Sequence, residues 1–310
     1  MSDPCLFCGA ATRVDLPRVV DNRFGSPGEY AIRACAACGG KQTFPRPDAP
    51  TLKGLYERWY NYGGKTDSFY ATAREAFLFS PFYRLMLAVD GDVSFHSIRG
   101  TGRLIDIGCN EGRGLALYRA NGFRAEGLEL NRHAAAAARE RGFAVHETWI
   151  EDFAPAEPFD VAVLSNVLEH ASDPRIMLKH VKRILRPGGE VWISLPNAES
   201  ALIGLAGPDW INWHVPFHIV HFTKLRLTRL LEEEGFAVRD ARNVTPALWV
   251  AQSAIARLWR RDAQATIRLQ RKAPLVAAFM ALARGLLFPL LWGWNRAGRG
   301  DCLVVRARRA

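Results

Sequence analysis

The chain has 310 residues, a net charge of +10 and 49% hydrophobic residues, enough for one large domain with appendages or for two domains, each with a buried core. The charge is uneven: residues 255–310 hold twelve Arg or Lys against two acids, while the preceding 254 residues balance at 29 and 29, which argues against a catalytic face built to bind nucleic acid. No apolar run follows a basic start, so no signal peptide is expected, and cysteines in C-x-x-C pairs point to a reducing, cytoplasmic compartment.

Residues 1–50 carry Cys5, Cys8, Cys35 and Cys38 as two C-x-x-C knuckles, each followed by glycine. Two knuckles offer four thiolates to one tetrahedral Zn²⁺. A β-hairpin between them, with its turn at 25–28 and its returning strand at 30–34, would bring the pairs together. Four cysteines leave no open coordination position, so the ion is expected to be structural. Pro45, Pro47 and Pro50 make a stiff exit from this zinc-ribbon-like module.

Residues 51–100 form an aromatic-rich helical linker, with rings from Tyr56 to Tyr83 and a break at Gly63-Gly64. Most of the rings are expected to pack helices over a sheet. Tyr60 and Tyr62, beside the glycine pair, are candidates for a lid.

Residues 101–310 alternate strand and helix. Strands are expected at 104–107, 125–129, 143–146, 159–164, 190–195, 236–243 and 301–308, giving a doubly wound, mainly parallel seven-stranded α/β sheet. The apolar run 104–107 contains Asp106 and leads into Gly108, Gly112 and Gly114 and then a helix, the order in which such a sheet holds a nucleotide-like ligand. The glycines read G-x-x-x-G-x-G, not the G-x-G-x-x-G of a dinucleotide site.

Asp106, Gly108 and the two later glycines resemble motif I of the class I S-adenosylmethionine (SAM) methyltransferases. Further positions are similar to that family in order. Glu129, ending the second strand, is placed to accept from a ribose diol. Glu151, Asp152 and Phe153 occupy the segment that in the family faces adenine. The run from Phe159 through Asn166 to Glu169-His170 resembles the motif around strand four, and Arg186-Pro187-Gly188-Gly189 the turn before strand five. The resemblance covers residues 100–245 and implies a Rossmann-like fold, SAM as cofactor, and a cofactor set of Asp106, Gly108, Gly112, Gly114, Glu129, Glu151, Asp152, Phe153 and Asn166. A base for the acceptor would come from His170, His218 or His221, with His214 also near in sequence. Glu169-His170 is also similar to the pair in ubiquinone-type O-methyltransferases, where a divalent metal is implicated.

Between the last two strands lies a helical, basic, apolar insertion, 247–298. Residues 248–272 are amphipathic and arginine-rich, and 275–294 are apolar apart from Arg284. An arginine near the centre, Pro289, two glycines and a final strand that must rejoin the sheet all argue against a membrane span. An interfacial helix or shallow hairpin against anionic headgroups, through 248–297, is one expectation, and a soluble helical cap or homo-oligomer interface is the other.

These features imply an O-methyltransferase acting on a small molecule, glycan or lipid-linked acceptor in the cytoplasm or at the inner membrane face. Sugar C-methylation, rRNA methylation and a SAM-binding adaptor without turnover are the alternatives.

Overall fold

The N-terminal cysteine spacing closes as a hairpin. Strand β1 (Thr12–Val19) pairs antiparallel with β2 (Tyr30–Cys35), and β2 pairs antiparallel with β3 (Lys41–Phe44). Helix α1 (Ala49–Arg58) starts at Asp48, whose carboxylate accepts from the amide of Thr51. The computed structural model describes residues 4–59 and 76–310. Tyr60, Tyr62 and the Gly63-Gly64 break lie outside the described residues.

After helix α2 (Pro81–Asp90) the chain alternates as the pattern requires: β4 (Arg103–Ile107), α3 (Arg113–Ala120), β5 (Arg124–Leu128), α4 (Arg132–Glu140), β6 (Val145–His146), β7 (Phe159–Ser165), α5 (Pro174–Ile184) and β8 (Leu185–Pro196). A short helix α6 (Ala201–Ala206), a two-residue strand β9 (Val220–His221) and helix α7 (Lys224–Glu233) lead to β10 (Phe236–Val244). The insertion is four helices, α8 (Ala247–Leu258), α9 (Ala263–Gln270), α10 (Ala273–Gly285) and α11 (Phe288–Arg296), before β11 (Cys302–Arg309).

The seven-stranded sheet has the order β10-β11-β8-β7-β4-β5-β6. Strands β4 to β8 are parallel, and β11 is antiparallel to both its neighbours. Period-two alternation sorts the side chains: Ile105, Ala162, Leu164 and Ile193 enter one core, and Leu104, Val161, Val163 and Trp192 the other. The third strand is two residues long where four were expected. The fifth begins at Leu185, five residues early, because the Arg186-Pro187-Gly188-Gly189 turn runs into it as a register shift opposite Phe159 and Val161.

The N-terminal module is knit into this domain. Lys41 and Gln42 of β3 pair with His221 and Val220 of β9, so a strand of the larger domain completes a second sheet, β1-β2-β3-β9. Phe7, 2% exposed, lies edge-on to Phe222 at 5.1 Å and shares a core with Ile219, Leu227 and Leu230. Arg175 of α5 donates to the Phe7 carbonyl at 2.9 Å.

Phe7→Ala removes a ring shared by both sheets. It should cost about 3 kcal/mol and lower the urea midpoint in a single transition. A separate early transition for the N-terminal residues would show that the module unfolds alone.

Candidate active site

The glycine turn is built around backbone geometry. Gly108 (φ 76°) and Gly112 (φ 73°) adopt left-handed conformations that side chains disfavour, and Gly112 caps α3. At Gly114 the constraint is space, since a Cβ there would sit 3.2 Å from Oδ2 of Asp106 and 3.2 Å from Nε2 of His96. Between the glycines Asn110 also has positive φ, 52°. Its amide donates to Oε2 of Glu129 at 2.8 Å, while the amide of Asn131 donates to Oε1 at 2.7 Å. Glu129 therefore ties the end of β5 to the turn after β4, and each oxygen retains acceptor capacity for a diol.

Asp106 ends almost buried, 8% exposed. Desolvation, and then the negative charge of Glu129, raise its pKa to about 8. Around it stands a group that the sequence pattern does not single out. The Asp92 carboxylate accepts from the amides of His96 and Ser97, fixing a loop in which His96 Nδ1 lies 2.7 Å from the Tyr83 hydroxyl. Burial lowers the His96 pKa to about 4. The spacing of Asp92 and His96 is the one sequence cue to this loop.

The segment after β6 presents Glu151 half-buried and Asp152 exposed. Phe153 is buried, with its ring 4.7 Å from His146 and 6.3 Å from Phe159. Its face is occupied by the core, and the exposed aromatic side chain of this segment is Trp149, 60% exposed. Asn166, at the carboxyl end of β7, has φ 55° and donates its amide to Ser194 at 2.8 Å.

A second group gathers beside the turn. A Cβ on Gly108 would lie 3.0 Å from a Val167 methyl, and Val167 leads into a 3₁₀ turn, Leu168–His170. Glu169 is 1% exposed, and among the described residues neither of its carboxylate oxygens has a hydrogen-bond partner. Its Oε1 is 3.8 Å from Nε2 of His218. His170 Nδ1 lies 2.9 Å from the Phe217 carbonyl and 2.8 Å from the Tyr56 hydroxyl. A carbonyl only accepts, so this contact assigns the proton to Nδ1 and leaves Nε2 with its lone pair. The His218 ring stands perpendicular to His170 at 4.7 Å, with Nδ1 2.9 Å from the Asn212 carbonyl and Nε2 3.3 Å from His214 Nδ1.

Burial dominates the electrostatics here. It lowers the pKa of His170 to about 4, lowers those of His214 and His218, and raises that of Glu169 to about 8. Arg23, from the loop joining β1 to β2, adds positive potential to all four groups. The Asp21 carboxylate holds that loop through the amides of Arg23, Phe24 and Ser26, and Phe24 packs 5.2 Å from His214. Arg23, Phe24 and Tyr56 thus reach the histidines from the N-terminal residues, a convergence that no local motif encodes. His221 is placed otherwise: its Nε2 is 3.0 Å from the Thr43 hydroxyl, which donates to the His218 carbonyl at 2.6 Å. It holds the joint between β3 and β9.

Among the described residues, two donor sets have the composition of a metal site. Sγ of Cys5 is 3.5 Å from that of Cys38, and Sγ of Cys8 is 3.6 Å from that of Cys35. Four thiolates at Zn–S bonds of about 2.3 Å would stand about 3.8 Å apart, so the cluster fits the ion. The second set is Glu169, His170 and His218, whose ligand atoms lie within 4.8 Å of one another.

The sheet order, the glycine turn and the acid at the end of β5 are accompanied by a match to the methyltransferase domain family over residues 81–241. The chain belongs to this family. It is 29% identical over 157 residues to the ubiquinone biosynthesis O-methyltransferase of Thiobacillus denitrificans, covering 46% of this chain and 68% of that protein. It is 34% identical over 144 residues to a probable S-adenosylmethionine-dependent methyltransferase of Mycolicibacterium smegmatis, covering 46% and 54%. The chain spans between 49% and 68% of the length of such curated relatives. Among solved structures it is similar to the 1,6-didemethyltoxoflavin-N1-methyltransferase of Burkholderia thailandensis, with 18% identity, a TM-score of 0.47, and coverage of 92% of this chain and 97% of that one. The chain is a SAM-dependent methyltransferase with the Rossmann-like fold of its class.

Glu129→Ala removes two charge-assisted hydrogen bonds and the candidate acceptor for a cofactor diol. It should weaken S-adenosylhomocysteine binding about 100-fold by calorimetry, and unchanged affinity would sink the assignment. The pKa of folded Asp106 stands above its ordinary value of 3.8, so the stability it contributes is present below that pH and is lost as pH rises through about 8. The Tm of the ligand-free protein should fall over this window, and Asp106→Asn should remove part of the slope.

Proposed function

We propose that this methyltransferase moves the methyl group of SAM to an oxygen of a small-molecule or lipid-linked acceptor held against His170. The observation that carries the reading is the contact of Val167 with the Gly108 turn, which sets the Glu169, His170 and His218 group beside the candidate cofactor site. SAM supplies a methyl group on a sulfonium, itself a good leaving group, so the protein's part is to orient the acceptor and take its proton. His170 is suited to that role. Its Nδ1 is held by the Phe217 carbonyl, and burial keeps the ring unprotonated at neutral pH, so Nε2 offers the acceptor proton a lone pair, as a base weaker than free imidazole. Glu169, raised to about 8, stays protonated at neutral pH and places no buried negative charge next to the reacting oxygen. Arg23 makes no ion pair among the described residues, which favours an acceptor bearing a carboxylate or phosphate. The O-methyltransferase names of several relatives agree with an oxygen acceptor.

A second reading has its own support in the three ligand atoms of Glu169, His170 and His218. A divalent ion held there would polarise the acceptor oxygen in place of a base. The N-terminal cysteines are proposed to hold a structural Zn²⁺, a role that fits four thiolates at the joint of two sheets.

The test is S-adenosylhomocysteine release from labelled SAM with carboxylated, phosphorylated and lipid-linked phenols and sugars. His170→Gln should lower turnover at least 100-fold while leaving S-adenosylhomocysteine affinity unchanged, and wild-type turnover in this variant would refute the role. Activity lost on chelation and restored by Mg²⁺ would favour the metal reading. Cys38→Ser should lose bound zinc by elemental analysis and lower the Tm of the whole protein, because the module shares its core with the catalytic domain.

A further inference from the structure

We propose that the bent helix pair α10–α11 docks on the surface of an anionic phospholipid bilayer. The inference begins with a mismatch between composition and burial. Ala273–Gly285 is apolar except for Arg284, yet only Val276 and Ala283 are buried. In Phe288–Arg296 only Leu291 is buried. Helix α8 of the same insertion, comparably apolar, buries seven residues, including Trp249, Val250 and Ile255. The insertion therefore has one helix that belongs to the core and a pair whose apolar side is uncovered. Leu282, Leu286, Phe288, Leu290 and Trp292 are 39–76% exposed, with Leu286 the most exposed at 76%.

The geometry makes this face interfacial. Helix α10 is 13 residues long, about 20 Å, short of the roughly 30 Å hydrocarbon core. The two helices meet at a 67° bend, and the chain returns within six residues of α11 to β11, inside the sheet. The Arg284–Asp90 ion pair at 2.9 Å (Nε to Oδ1) ties α10 to the end of α2. The pair is thus anchored at both ends and along its length, and presents a fixed apolar surface.

Charge selects the occupant. Arg268, Arg271, Lys272, Arg296 and Arg299 are exposed around the pair, and Asp262 is the sole exposed acid from residue 255 to the end of the chain. A second copy of this face would bring two cationic rims together. An anionic bilayer offers phosphates to the rim and acyl chains to the leucines. A cavity of about 700 Å³ opens beside the pair, lined by Lys224, Arg242 and Arg296 as well as the paired Arg284 and Asp90, and gives headgroups room between α11 and the end of β10.

The test uses the full chain and sucrose-loaded vesicles of phosphatidylcholine with and without phosphatidylglycerol. Pelleting should rise at least about tenfold with the anionic lipid and fall as salt is added. Leu286→Asp with Leu290→Asp should abolish it while leaving S-adenosylhomocysteine affinity unchanged, which shows that the variant is folded and keeps this outcome separate from the cofactor assignment. Equal pelleting with neutral vesicles would overturn the proposal. So would absence of pelleting together with a dimer by light scattering that the same variant disrupts, which would make the face a contact between copies.

Discussion

The proposed acceptor side of this protein depends on the pairing of β3 with β9. Two residues on each strand make it, and Thr43 reinforces it by donating to the His218 carbonyl and receiving His221. Through this joint the N-terminal module ceases to be an appendage. Its first loop delivers Arg23 and Phe24, and its exit helix delivers Tyr56, to histidines that the catalytic domain alone would leave more open to water. A four-thiolate ion in the module would then act at a distance. It would stiffen the hairpin whose third strand sets the histidine segment, without touching substrate.

The cofactor side rests on different physics. Its parts lie between Gly108 and Asn131 and are held by backbone: two left-handed glycines, an asparagine of positive φ and a carboxylate that accepts amides from both neighbouring turns. The two sides meet where Val167 covers Gly108. One half of the site is thus local in the chain and the other is assembled from four distant segments.

That division explains what the amino-acid sequence disclosed. The parallel sheet, its seven strands and the glycine turn with Glu129 were legible because periodicity and turn chemistry are local signals. The spacing of the cysteines was legible for the same reason, and the structure brings all four sulfurs together. Arg23, Phe24 and Tyr56 were not, because what matters about them is where β9 puts their neighbours. Phe153 shows the opposite limit. Its position by motif suggests a surface against adenine, but the irregular segment after β6 packs its ring beside His146 and Phe159 in the core, and Trp149 is left facing outward. The composition of the insertion divides it into an amphipathic piece and an apolar one, but does not encode that the amphipathic piece is two helices of which α8 is buried.

The Asp301 carboxylate, wholly buried, accepts from Ser200, Trp210 and Asn212. Asn212 in turn holds His218 through its carbonyl. Asp301 immediately precedes β11, the strand that fills the gap between β10 and β8. During synthesis, strands β4 to β8 and their glycine turn can form while the rest of the chain is still being made. The histidine segment cannot acquire its final arrangement until β11 has emerged and slotted into the sheet. Competence to bind the cofactor should therefore precede competence to act on the acceptor, and a chain stopped before its last ten residues would retain the means for the first without the second.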